Sequence, residues 1–390
     1  MRLYIFILVL LTSLIFFVGC ISIQKTNNVS LLPKTKNLFT PIIVWDKKIG
    51  SGTKNFYSKL SPAYENLIVY AADRNGLVKA LKIDNGKEIW ISDLSSHNCF
   101  LCSKTSAFLS GGIKVFNDKV FISTERGVLF ALNKTNGKVI WTTDIDGEGL
   151  SKPVVSNDLV IIHTNSGQLQ AIDINDGEIK WSLNIGTPFI SLRGVSSPTI
   201  SFGTLIIGGD NGIVTSVLMP QGQIIWQKQI SQITTTNEIA KINDIDVTPI
   251  VDYDRIYIVS YNNVLSALDI YSGKSIWKRE ISSVNDMIIS GENIFLIDIN
   301  DRIFSIRKTD GVILWTKENL LNRGLSEAEI FNGYLVFGDK KGYLHWLDIT
   351  DGESVAQNKL DSSGIQSRPV VAFDNLIVQA INGNLYLLKI

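Results

Sequence analysis

One short unit recurs along the chain and limits what it can fold into more than any other feature. It reads Asp84-Asn85-Gly86-Lys87-Glu88-Ile89-Trp90. It returns as Thr135-Asn136-Gly137 to Trp141, Asn175-Asp176-Gly177 to Trp181, Pro220-Gln221-Gly222 to Trp226, Tyr271-Ser272-Gly273 to Trp277 and Thr309-Asp310-Gly311 to Trp315. A seventh copy, Thr350-Asp351-Gly352 to Ala356, has lost its Trp. Six intervals from Gly86 to Gly352 cover 266 residues, a mean period of about 44, which is the length of a four-stranded propeller blade. Gly accepts φ > 0 without steric cost, so Asn-Gly and Asp-Gly read as tight hairpin turns, and the bulky Trp reads as the anchor of an outer strand.

Six residues before each turn Gly stands a small side chain: Ala80, Ala131, Ala171, Ser216, Ala267 and Ser305. A small residue there leaves room for something bulky, and a Trp from the adjacent unit is the expected occupant. In the seventh copy Trp346 fills this slot while Ala356 stands where Trp is expected, a swap of bulk within one unit.

Eight dense apolar runs, from Leu67-Ile68-Val69-Tyr70 to Leu376-Ile377-Val378, precede these turns and are bounded by Gly, Asn and Asp, as strands are. The eighth unit stops at Leu388-Lys389-Ile390, one strand short. Ile42 to Ile49, with Trp45 at its centre, has the pattern of the missing strand. The expected fold is therefore all-β: an eight-bladed β-propeller of four-stranded antiparallel blades over residues 41–390, closed by the N-terminal strand joining the last C-terminal blade. No 3.6-residue apolar period is sustained, so helices should be few.

Ahead of the ring, Arg2 and the uncharged apolar run Leu3–Gly19 read as a signal peptide over 1–19, ending at Cys20. Phe17-Val18-Gly19-Cys20 resembles a bacterial lipobox, with Phe17 where Leu is usual. Lipid on Cys20 would anchor the chain to a membrane, and Ile21 in place of Asp favours the outer one by resemblance to lipoprotein sorting rules. Polar residues dominate 20–40, which reads as a flexible tether.

Lys and Arg number 37, as do Asp and Glu, and no basic run occurs, which argues against a nucleic-acid partner. Cys99 and Cys102, with His97 nearby, admit a local disulfide, a redox pair or part of a metal site. The disulfide comes first, because no second Cys pair completes a tetrahedral site and no βαβ context surrounds the motif.

The Gly-x-x-x-Trp units with a preceding Ala-Leu resemble the repeats of pyrroloquinoline-quinone (PQQ) proteins. Within that group, unrepeated stretches resemble the BamB family, the lipoprotein subunits of the outer-membrane β-barrel assembly machine. These are Ser191-Leu192-Arg193-Gly194, Gly208-Gly209-Asp210-Asn211-Gly212, Val217 to Trp226, Ser283-Val284-Asn285-Asp286, Gly342 to Trp346 and Asp361-Ser362-Ser363-Gly364. The resemblance implies a non-catalytic scaffold without cofactor. It implies an outer-membrane location, facing the periplasm, and binding to BamA through its POTRA domains within the BAM complex.

Two loops break the period: Thr187–Gly194, and Ser231–Thr248 with Asp244 and Asp246. Trp226 to Trp277 spans 51 residues against 40 for Trp141 to Trp181, and extra loop on a rigid scaffold is where binding concentrates. Ile190 and Leu192 alternate with Ser191, so an extended segment would present both on one side, beside Arg193. Asp244 and Asp246 are likewise two apart. The family resemblance assigns BamA binding to Ile190, Leu192, Arg193, Asp244 and Asp246, with Ile190 where Leu is usual. A competing reading pairs Arg193 with Asp244 or Asp246 and merely ties two loops together. Strand addition at an exposed edge would also let a propeller receive unfolded barrel precursors, though no residue marks that role.

Two other functions compete. A PQQ-dependent dehydrogenase shares the blade repeats, yet the adjacent Cys-Cys of those enzymes is absent, as is any nucleophile elbow, phosphate loop or HExxH helix. His97, His163 and His345 fall in separate units and read as structural. A periplasmic binding lipoprotein with another client is the second alternative.

Overall fold

In the computed structural model the described residues are 29–54, 56, 58–96, 104–230 and 242–390. The signal segment, Cys20, His97, Cys99 and Cys102 lie outside them. Among the described residues there is no helix; strands form eight four-stranded antiparallel sheets. The first blade consists of Ala63–Glu65, Ile68–Ala72, Leu77–Lys82 and Glu88–Asp93, and six more repeat that order. The last is composite. β1 (Ile42–Lys48) lies antiparallel to the final strand, β32 (Asn384–Lys389), with Trp45 opposite Leu387 and Lys48 opposite Asn384. Chain ends thus share one sheet, and the ring closes.

The core runs continuously between neighbouring sheets. Tyr70, Ala80 and Trp90 of the first blade pack with Val120, Ile122 and Leu132 of the second. Trp45, Ile377 and Leu387 of the last pack with Val69 and Leu81 of the first. These positions alternate along their strands, so each sheet buries both faces, which is why the sequence reads as dense apolar runs.

The recurrent unit is a latch between blades. The turn is wider than a two-residue hairpin: five residues, Ile83–Lys87, join the third and fourth strands of blade one, and the Gly86 amide donates to the Lys82 carbonyl at 2.9 Å. The seven turn glycines have φ between 64° and 80°. A Cβ on Gly137 would lie 2.4 Å from the Trp90 ring, so the preceding blade's indole packs flat on the glycine. The same indole donates its Nε1–H to the Lys134 carbonyl, three residues before that glycine, at 2.8 Å. Trp45, Trp141, Trp181, Trp226, Trp277 and Trp315 repeat both contacts.

The small residue serves a partner other than the expected one. Ala80 stands opposite Trp90 of its own blade, and Ala131, Ala171, Ser216, Ala267 and Ser305 likewise oppose their own Trp. It is the turn Gly that meets the neighbour. In blade seven Trp346 opposes Ala356, so the swap of bulk is internal to one strand pair.

That swap has a consequence for the N-terminal segment. Residues 30–39 do not hang free as the tether expected over 20–40. They lie along β29 (Ser354–Lys359): Leu38 N–H donates to Val355 O at 2.9 Å, Asn37 exchanges two bonds with Gln357, and Ser30 N–H reaches Leu321 O. Phe39 sets its edge on Trp346, centroids 5.3 Å apart at 86°. With no Trp on β29, the outer face of blade seven is open, and Phe39 supplies the missing ring.

Antiparallel order fixes two rims. Turns joining strands one to two, and strands three to four in the seven blades built from consecutive strands, lie on one, here the latch rim. Turns joining strands two to three, and the connections between blades, lie on the other, the loop rim.

Candidate functional site

Loop 185–194, joining the third and fourth blades, lies on the loop rim as an irregular segment, not as an extended strand. It starts from Ile185, whose N–H donates to Gly167 O, and Gly186, whose N–H is taken by Asn184 Oδ1 at 2.7 Å. Phe189 at its tip is 100% exposed and Ile190 42% exposed, whereas Leu192 is half-buried. Ile190 and Leu192 therefore do not form one flat apolar face.

Asp244 and Asp246 depart from the surface role expected of them. Both are buried, at 0% and 3% exposure. Asp244 turns inward because a short carboxylate satisfies a loop amide there: its Oδ2 accepts the Leu192 N–H. Asp246 packs on the backbone of Gly194, where a Cβ would lie 2.3 Å from its carboxyl carbon. Only glycine admits that approach, which accounts for the Arg193-Gly194 pair. The carboxylates thus hold the loop from beneath.

A third carboxylate joins them. Asp210, 4% exposed, bonds Ser191 of the same loop. Burial, then Asp246 and Asp244, push Asp210 up to about 8. Burial also raises Asp244 to about 7, against the Leu192 hydrogen bond and with Asp246 adding. Asp246 rises to about 6 by burial, with Lys59 opposing. Removing charged oxygens from water is costly, and three near one another compound it.

Arg193 pairs with neither aspartate. Its Nη2 donates to Glu125 Oε2 at 2.7 Å and to Glu148 Oε2 at 3.2 Å, and its side chain remains 43% exposed. Glu125 is shared: Arg74 grips it through Nε at 2.9 Å and Nη2 at 2.7 Å. Arg74 in turn stacks between Phe56 and Phe108, 4.0 and 4.3 Å from the ring centroids. A polar and aromatic strip thus crosses the loop rim from blade one to blade four. Glu125 and Glu148 escape a sequence reading, since they stand in separate units, with no motif around either; the turn Arg126-Gly127 beside Glu125 is the one signal.

His163 and His345 are structural. His163 Nδ1 lies 3.0 Å from the Ser196 carbonyl, and burial pushes its ring down to about 4. His345 Nε2 is 3.0 Å from Asp339 Oδ2, which also pairs with Arg323 at 2.6 Å.

Residues 74–317 match the family model described as outer membrane protein assembly factor BamB. The chain is 49% identical over 383 residues to the outer membrane protein assembly factor BamB of Yersinia pestis, covering 97% of this chain and 98% of that one. It is 50% identical to that of Escherichia coli strain K12 over 371 residues, 94% of each. This chain belongs to the BamB family. The crystal structure of BamB from Moraxella catarrhalis superposes with a TM-score of 0.79 at 22% identity, covering 90% of this chain and all of that one, and so shares the propeller. Membership in a family of assembly factors makes this BamB-family chain a non-enzymatic component, not a quinoprotein dehydrogenase.

Proposed function

We propose that this chain is a scaffold subunit of the BAM complex, docking on the POTRA domains of BamA and assisting insertion of β-barrel proteins. Lipid on Cys20 would hold it to the outer membrane, facing the periplasm. One observation carries the docking role. Arg193 is held between Glu125 and Glu148 with much of its guanidinium open, beside exposed Phe189 and Ile190. A preorganised Arg with apolar neighbours loses little entropy on binding, as interface hot spots require.

The family resemblance assigns contact to Ile190, Leu192, Arg193, Asp244 and Asp246. We divide that set: Ile190, Leu192 and Arg193 face the partner, while Asp244 and Asp246 shape the loop. Exposed Ile42, Ile43 and Val44 on edge strand β1 fit a secondary role in receiving unfolded precursors by strand addition. Arg193→Glu should reduce co-purification with BamA at least about tenfold, the loss of a hot-spot contact, with the fold intact. Undiminished recovery from a folded variant refutes the docking role. A photocrosslinker at Leu192 in membranes should attach BamA.

A further inference from the structure

The central channel holds charge that its own partners do not neutralise. Lys59, just ahead of the first blade's inner strand, reaches across it to Asp286 Oδ1 and Glu327 Oε1, both at 3.1 Å. Arg368 pairs with Glu329 at 3.1 Å, and Glu65 is taken by Lys134. Glu329 and Glu65 each meet one cation, while Asp286 and Glu327 share Lys59 and leave one negative charge over. Beside them a cavity of about 400 Å³ is lined by Glu65, Lys114, Lys152, Glu329 and Arg368, with Tyr64. Lys114 and Lys152, from blades two and three, make no ion pair or side-chain hydrogen bond among the described residues.

Lys152 is set in place. Its backbone N–H donates to Ser197 Oγ at 2.9 Å, and its stem lies on Gly112, where a Cβ would come within 2.9 Å of Lys152 Cγ. Burial lowers the affinity of its ammonium for the proton, and the facing charges of Lys114 and Arg368 lower it further, against weaker pulls from Glu327 and Asp286. Two ammonium groups and a guanidinium facing one half-open cavity repel one another unless an anion lies between them.

We propose that this cavity is an anion site, taking an oxyanion of the phosphate class between Lys114, Lys152 and Arg368. Lys114 and Lys152 exceed by one the negative charge that Asp286 and Glu327 keep beyond Lys59, and an added anion restores the balance. The ammonium groups offer several donors, and the Arg368 nitrogens not bound to Glu329 offer more. The site stands apart from the loop 185–194, so it neither needs nor tests the docking role.

Titration calorimetry of the full chain with inorganic phosphate tests it, beside flotation with vesicles carrying phosphatidic acid. Saturable phosphate binding, weakened at least about tenfold by Lys114→Gln and by Lys152→Gln, supports a free anion, that factor being the loss of one charge-assisted hydrogen bond. Flotation lost in the same variants, without binding of free phosphate, supports a headgroup source for the same chemistry. Exposed Lys180→Gln should leave both unchanged. Each variant removes an unpaired cation from a crowded cavity, so its melting temperature in phosphate-free buffer should equal or exceed that of the parent chain. Phosphate should then raise the parent's melting temperature but not the variants'. Binding absent in both arms, or equally strong in the variants, overturns the proposal.

Discussion

The two rims of this propeller are built on different physics. On the latch rim, one device is used seven times: an indole lies flat on the next blade's glycine and donates to a carbonyl three residues earlier, at 2.7 to 3.3 Å. On the loop rim the hairpin turns repeat, with the Gly76, Gly127, Gly167, Gly212, Gly342 and Gly383 carbonyls each taking the N–H that follows an outer strand, but the connections between blades follow no common pattern. Loop 185–194 is held by buried carboxylates, and Arg193 is locked by Glu125 from a turn of blade two and Glu148 from the connection that follows it. Apolar stacking tolerates reuse because it has no long-range charge. A charged cluster works at one place only, where its partners happen to meet. The repeated rim thus serves cohesion, and the irregular rim is free to carry recognition.

Breaking the latch should have the largest effect. Trp141→Ala removes a buried indole, its hydrogen bond to Ile174 O and the cover on Gly177, and should cost about 3–5 kcal/mol in urea unfolding. A loss below about 1 kcal/mol would show that blades cohere without the latch. Blade seven sharpens the point. Phe39→Ala, on a half-buried ring, should cost about 2 kcal/mol and release residues 30–38 to proteolysis.

The loop rim should respond more locally. Asp244→Ala leaves the Leu192 amide without its acceptor, and hydrogen exchange there should quicken roughly tenfold or more, with little change in global unfolding. If the global midpoint falls as far as for Trp141→Ala, the loop is part of the core after all.

The two rims differ also in pH dependence. Free carboxyls titrate near 3.8, while Asp210, Asp244 and Asp246 do so at about 8, 7 and 6 in the fold. As pH rises above the free value, the unfolded chain ionises first and the native state lags. Their contribution is therefore fully present below that value and declines as pH climbs to about 8. Asp210→Asn keeps a hydrogen-bonding group for Ser191 and removes one titration. It should raise the melting temperature more at pH 8.5 than at pH 5; equal shifts at both would remove Asp210 from the account.

Much of this molecule was legible in the chain itself. The Gly-to-Trp period, the small residue ahead of it and the Trp-bearing segment at Ile42–Ile49 specify blade number, blade order and ring closure. Each is a local steric requirement: φ > 0 at the turn, room opposite the indole, an unfilled edge. Loop 187–194 stood out because it breaks the period. Less legible was which way its charges point. Arg193 and the two aspartates seemed natural mates, yet the arginine goes to Glu125 and Glu148, and the aspartates go under the loop.

What the sequence alone determined is the wheel, since its rules operate within about six residues and repeat. What tertiary structure decided is the chemistry of the loop rim and the channel. Glu125, Glu148 and Arg193 come from blade two and from the connections on either side of blade three, and meet when neighbouring blades pack, whereas Lys114, Lys152 and Arg368 come from blades two, three and eight and meet only when the ring closes. Charges separated by tens to hundreds of residues along the chain carry no local signature. Their partners are chosen by burial, which exists only once the sheets have packed.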